Sequence, residues 1–182
     1  MTTSNLSSTL TVHLSQPPFI IGQPRIQFVN GFYYLHLTHD HTQDGQPGTD
    51  MNSLIARATD ALRQSVGPGA RHPLVVMFFN APSEPGIYKY DIQVGYPVNA
   101  GTNPTPETRL RYVEPAYCAS LLAWGDVGVY AKSYPPLLEY IDQCGLQPGW
   151  GWTEWTFYWE GDDSVNNIVW IQHAVEEKSS PR

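Results

Sequence analysis

Apolar and polar positions along this chain change period several times, and each change marks an element. Leu74 to Phe79 is an unbroken apolar run of strand length, and Phe32 to Thr38, mostly aromatic and apolar, reads as a second buried strand. Between them Leu54, Ile55, Ala58, Ala61 and Leu62, with Val66, recur at helical spacing after Thr49 or Asp50 as a cap, and Gly67-Pro68-Gly69 stops that helix. Tyr88, Tyr90, Ile92, Val94 and Tyr96 alternate with other residues, which predicts a strand over 88–98 with Pro97 near its end. Upstream, short strands are expected at Thr11–Leu14 and Arg25–Val29, the latter isolated by Pro17-Pro18 and Pro24, and Asn30-Gly31 reads as a turn. His39 to Gly48 is loop by composition.

Asn99 to Thr105 is the best candidate linker, and beyond it the pattern repeats. Leu110–Val113 and Ala116–Trp124 read as strand, Gly125–Gly128 as turn, and Val129–Cys144 as a helix that Pro135-Pro136 should delay or kink. An aromatic strand follows, then a turn at Gly161-Asp162-Asp163 and a closing strand over Asn167–Val175. Matched by order and spacing, Phe32–Thr38 corresponds to Tyr117–Ala123, Val75–Phe79 to Glu154–Tyr158, and Asp91–Val98 to Asn167–Ala174. One strand-helix-strand-strand unit exposes an apolar sheet face and needs a partner, so two of them are expected to form a pseudo-symmetric pair with a cleft between the halves. The division this predicts is a loose extension over 1–24, a domain over 25–176 with halves 25–99 and 106–176, and a tail over 177–182.

The aromatic strand carries the candidate chemistry. Gly149 to Glu160 holds four of the six tryptophans around one internal carboxylate, Glu154. Alternation puts Trp152, Glu154, Thr156 and Tyr158 on one face and Trp155, Phe157 and Trp159 on the other. Trp155 and Trp159 are expected in the helix-facing core. A carboxylate among rings is costly unless something meets it, because desolvation disfavours the ionised form. Either a built-in hydrogen bond or a ligand must supply the partner.

Composition narrows the ligand. Ten basic against 17 acidic residues give a net charge of −7, which disfavours phosphate backbones and favours neutral or cationic small molecules. No apolar run reaches membrane-spanning length and the N-terminal stretch lacks the charge and apolar regions of a leader, so a cytoplasmic protein is expected, with no direct nucleic-acid or membrane partner. Cys118 and Cys144 lack metal or redox spacing. His36, His39 and His41 offer a His-x-His pair without a third ligand, so no metal is expected. No phosphate loop or nucleophile elbow appears, and no cofactor is expected.

Gly128-Val129-Tyr130, Leu137-Leu138-Glu139-Tyr140-Ile141 and Gly145-Leu146-Gln147-Pro148-Gly149, followed by Glu154, together resemble the GyrI-like family, the effector-binding domain of AraC-type and MerR-type regulators. The resemblance covers about Glu114 to Val175 and extends more weakly to residue 25. It implies an α+β fold of tandem βαββ modules of the SHS2 type, an antiparallel sheet packed by two helices around a central cleft. It also implies that Glu154 is the acidic residue that meets cationic aromatic ligands, with Trp152, Thr156, Tyr158, Trp170 and Tyr130 as candidate lining. The family often has tyrosine where this chain has Thr156, and a histidine before the Gly-x-Tyr motif is missing here. No residues remain for a DNA-binding domain, so a stand-alone binding module is expected. Some relatives hydrolyse cyclopropane-bearing genotoxic natural products, and in that alternative Glu154 orients or deprotonates water while Tyr130 or Tyr158 donates to the developing oxyanion. Gyrase inhibition through protein contact and haem capture, as in the related SOUL fold, are lesser alternatives.

Overall fold

The computed structural model describes residues 19–40, 51–79 and 91–178. The expected strand at Thr11–Leu14, most of the His39–Gly48 loop, and Tyr88 and Tyr90 lie outside the described residues. In chain order the elements are β1 (Phe19–Ile21), β2 (Arg25–Val29), β3 (Phe32–Asp40), α1 (Met51–Val66), β4 (Leu74–Phe79), β5 (Asp91–Val98), β6 (Arg109–Val113), β7 (Ala116–Gly125), α2 (Val127–Gln143), β8 (Leu146–Tyr158) and β9 (Ile168–Glu177). The strands form one open antiparallel sheet in the order β1-β7-β9-β8-β4-β5-β3-β6, with β2 also on β7. Both helices lie on one face. The fold is therefore the α+β tandem βαββ arrangement that the repeat predicted.

Leu54, Ala58 and Leu62 of α1 close over Leu35, Leu37, Val76, Ile92 and Val94, and Leu137 and Ile141 of α2 close over Ala119, Leu121, Val169 and Ile171. Each helix buries one apolar stripe against one half of the sheet. At about 25 cal/mol per Å² of apolar surface, such burial is the main favourable contribution to the fold. On the opposite face Tyr34, Val75, Met77 and Val113 form a third cluster with Phe32 and Trp155. There the Tyr34 hydroxyl donates to the carbonyls of Val75, at 2.7 Å, and Gln93, at 3.0 Å. A β-carbon at Gly95 would overlap the Leu35 carbonyl, so the close approach of β3 and β5 depends on glycine.

Two strand pairings hold the halves together. The register that pairs Arg25 with Ser120 and Val29 with Ala116 resumes beyond the breaks, pairing Phe32 with Val113 and His36 with Arg109. Asn30-Gly31 is thus not a hairpin turn but a gap in a two-stranded ribbon, matched by Glu114-Pro115 on the other strand. The second junction is β4 on β8, where Val76 faces Glu154 and Phe78 faces Trp152.

Faces and register fix the equivalence of the halves. Leu35 and Leu37 face α1 as Ala119 and Leu121 face α2, and Ile92 and Val94 hold the places of Val169 and Ile171. Val76 then occupies the place of Glu154. The order-based matching, which set Val75 against Glu154, is one residue out in each of these strands, and a slip of one residue exchanges the two faces of a sheet.

Three local expectations also need correction. Helix α2 begins at Val127 and runs unbroken through Pro135-Pro136 to Gln143, with Cys144 as its cap and Gly145 following at a φ of 73°. Trp155 lies on the face away from the helices, edge-on to Phe32 at 5.0 Å, because its neighbour Glu154 takes the helix side. Trp159 follows the end of β8 and is exposed. Cys118 and Cys144 are free.

Candidate functional site

The space between α1 and α2 over the β4–β8 seam is a cleft of about 550 Å³. That volume suits a small organic molecule. Its floor consists of helix-facing side chains of the central strands, Leu74, Val76 and Phe78 of β4 with Thr156 and Glu154 of β8. Ile55 of α1 and Tyr96 of β5 form one wall, and Val127 at the start of α2 belongs to the other. Phe157, Tyr158, Trp159 and Asp162 line one end, and His72 also reaches the cleft. Among the described lining residues there is no lysine or arginine, so the fixed charges are acidic.

Glu154 is the one carboxylate on the floor. Its Oε1 accepts a short hydrogen bond from the Tyr134 hydroxyl of α2. Burial pushes the pKa of Glu154 up, and the Tyr134 bond, by favouring the ionised form, opposes part of that rise. Tyr134 is itself held edge-on to the Trp152 indole, with ring centres 5.9 Å apart. Trp152 stacks on Phe78 at 4.9 Å and 13°, and tilts against His173 at 6.0 Å. His173 is buried, with its pKa lowered chiefly by that burial, and its Nδ1 lies 3.0 Å from the Ala174 carbonyl oxygen. An aromatic scaffold therefore backs the acid, while the cleft side of Glu154 stays open.

On the wall, the Thr59 and Tyr96 hydroxyls lie 2.6 Å apart, and Thr59 is 2.8 Å from the Ile55 carbonyl. At the cleft's end the Tyr158 hydroxyl donates to Glu160, whose carboxylate also receives Ser164 and Asn166, each at 2.8 Å. Those bonds, Tyr158 first, hold the Glu160 carboxyl below the usual range.

Of the residues singled out in the sequence, Glu154, Thr156 and Tyr158 line the cleft. Trp152 supports it from below, through Phe78 and Tyr134. Trp170 is elsewhere, on the opposite face, against Trp155 and Phe157. The Tyr130 side chain lies outside the described residues, although its backbone belongs to α2. His36 is buried on the face away from the helices, stacked on Tyr34 at 5.2 Å, and burial lowers its pKa to about 4. The side chains of His39 and His41 lie outside the described residues.

Sequence reasoning missed Tyr134, Ile55, Phe78 and Tyr96. Tyr134 stands just before Pro135-Pro136, where a kink was expected, and that expectation hid it. Phe78 and Tyr96 belong to the first half, where no charged residue drew notice.

No protein-family model and no curated relative matches the sequence, so the comparisons rest on shape. The chain shares its fold with GyrI-like effector-binding domains, at low sequence identity. The C-terminal domain of EcmrR matches with a TM-score of 0.66 at 13% identity, covering 86% of this chain and 98% of that one. SAV2435 bound to tetraphenylphosphonium matches at 0.56 and 14%, covering 85% and 94%. A hydrolase from Listeria innocua matches at 0.56 and 11%, covering 85% and 92%.

Proposed function

We propose that the protein is a binding module that takes cationic or apolar aromatic small molecules between its helices, with Glu154 as the counter-charge. The observation that carries this reading is a carboxylate on the floor of an aromatic cleft, bonded by one tyrosine and with no lysine or arginine among the described lining. A cation about 4 Å from that carboxylate gains on the order of 4 kcal/mol at an effective dielectric near 20. A tryptophan or tyrosine face adds roughly 0.5 to 2 kcal/mol. Tetraphenylphosphonium in a neighbour of the same fold supports the ligand class. It also supplies a probe. Calorimetric titration with tetraphenylphosphonium is expected to show saturable binding that Glu154→Gln weakens at least tenfold, while a neutral tetraphenyl analogue loses little. Equal affinity in the two proteins would remove the counter-charge.

A second reading rests on the Glu154–Tyr134 contact. A carboxyl with a raised pKa beside a phenol, open to a cleft, has the parts for general acid–base work on a strained ring, as in the hydrolysis of cyclopropane-bearing natural products. The phenol that touches the acid is Tyr134; Tyr130 remains the family-based candidate. Ring-opened product on incubation with such a compound, lost in Glu154→Gln, would favour turnover. Tight binding without product would favour capture.

A further inference from the structure

The sheet carries a second hollow, of about 400 Å³, on the face away from the helices. Gly22, Gln23 and Arg25, where β1 gives way to β2, form one side, and Ser120, Leu121, Leu122, Trp170 and Phe157 complete the hollow. Its chemistry is the reverse of the cleft's. Arg25 pairs with Ser120 across β2 and β7, so both side chains point to this face. Arg25 has no ion pair among the described residues. Ser120 is fully buried, and its hydroxyl has no hydrogen-bond partner. On the far side of Ser120 is Gln172, whose amide oxygen takes the Thr153 hydroxyl at 3.3 Å and whose amide nitrogen is likewise unpartnered.

A fixed positive charge beside an unmet hydroxyl calls for an acceptor, and a buried donor left unmet is unusual in a folded chain. The next row supplies an apolar surface. Leu122 is 47% exposed, and Trp170 stacks against Phe157 with ring centres 6.4 Å apart and planes at 28°. Arginine's planar fork matches a carboxylate, and a flat ring suits the indole beside it. We propose that this hollow is a second ligand site, selective for planar aromatic carboxylates, with Arg25 and Ser120 holding the carboxylate and Trp170 the ring, while Phe157 forms the rim that the hollow shares with the cleft.

Titration of the full chain with 1-naphthoate, followed by calorimetry and tryptophan fluorescence, tests the assignment. One equivalent per chain is expected to bind, and the stoichiometry is expected to stay at one with tetraphenylphosphonium at saturation. Arg25→Gln should weaken 1-naphthoate at least tenfold and Ser120→Ala about threefold, while 1-naphthalenemethanol binds the native chain at least tenfold more weakly than the acid. Arg25→Gln alters an exposed side chain outside the cleft, so an unchanged circular dichroism spectrum separates loss of the site from loss of the fold. Absence of saturable 1-naphthoate binding, its displacement by tetraphenylphosphonium, or equal affinity in Arg25→Gln would overturn the site. None of these outcomes depends on Glu154.

Discussion

The two halves of the molecule hold the same backbone and opposite chemistry. Val76 and Glu154 face each other at the seam of β4 and β8, and each occupies in its own half the place the other holds in the second. The helices repeat the contrast: Leu54, Ala58 and Leu62 match Ser133, Leu137 and Ile141 in burial, which sets Ile55 against Tyr134. Ile55 is an apolar wall of the cleft, whereas Tyr134 reaches over to the carboxylate. Symmetry built the cleft, and one acid with one phenol in only one half gives it direction. A second acid at the symmetric position would put two carboxylates side by side.

That asymmetry can be broken outright. Val76→Glu places a carboxylate directly opposite Glu154, within cross-strand contact distance, and like charges there are destabilising. Leaving a charge buried and uncompensated costs about 3 to 5 kcal/mol, so urea unfolding at pH 7 is expected to show a loss of that size. The loss should shrink as the pH falls and the pair takes up protons. If Val76→Glu is as stable as the native chain at pH 7, Glu154 does not sit in a desolvated seam.

Removing the acid's charge sharpens the comparison in the other direction. The folded-state pKa of Glu154 is raised, so the folded chain holds its proton more tightly than the unfolded chain does. Its contribution to stability is therefore present below the unfolded carboxyl pKa and is lost as pH rises through the folded value. Glu154→Gln, which keeps the size and an acceptor for Tyr134, is expected to raise the Tm at pH 7 and to leave it unchanged in acid. Scanning calorimetry at the two pH values checks this; a Tm lowered at pH 7 would mean that the ionised acid supports the fold.

The smallest effect is expected at the phenol. Tyr134→Phe removes a hydrogen bond to the carboxylate, worth about 1.5 to 3 kcal/mol net when the acid is ionised and less when it is protonated. Because that bond favours the ionised form, its loss should move the Glu154 titration to higher pH, as read by carboxyl ¹³C NMR. A midpoint that stays in place would show that Tyr134 does not tune the acid.

Much of this arrangement was legible in the sequence, and the failures share one cause. Helical spacing in 54–62 and largely apolar runs at 32–38 and 74–79 mark elements by period alone, and the repeat follows from their order. The choice of Glu154 needed only a lone carboxylate in an aromatic strand. Period two sorts side chains into two sets but does not say which set meets the helices. Trp155 and Trp170 were therefore given to the wrong neighbours, and the halves were matched one residue out. Tyr134 and Phe78 needed tertiary contacts that no local pattern encodes. The Ser120 and Arg25 pair was also invisible, because it depends on β2 lying against β7, some 90 residues apart in sequence.

On the function proposed, the ionised Glu154 carboxylate is what holds a cation in the cleft. The most direct measurement is tetraphenylphosphonium affinity across pH 4 to 8 for the native chain and Glu154→Gln. The native affinity should fall as pH drops through a midpoint above that of an ordinary glutamate, converging on the flat, weaker profile of the variant. Two flat profiles of equal affinity would contradict it.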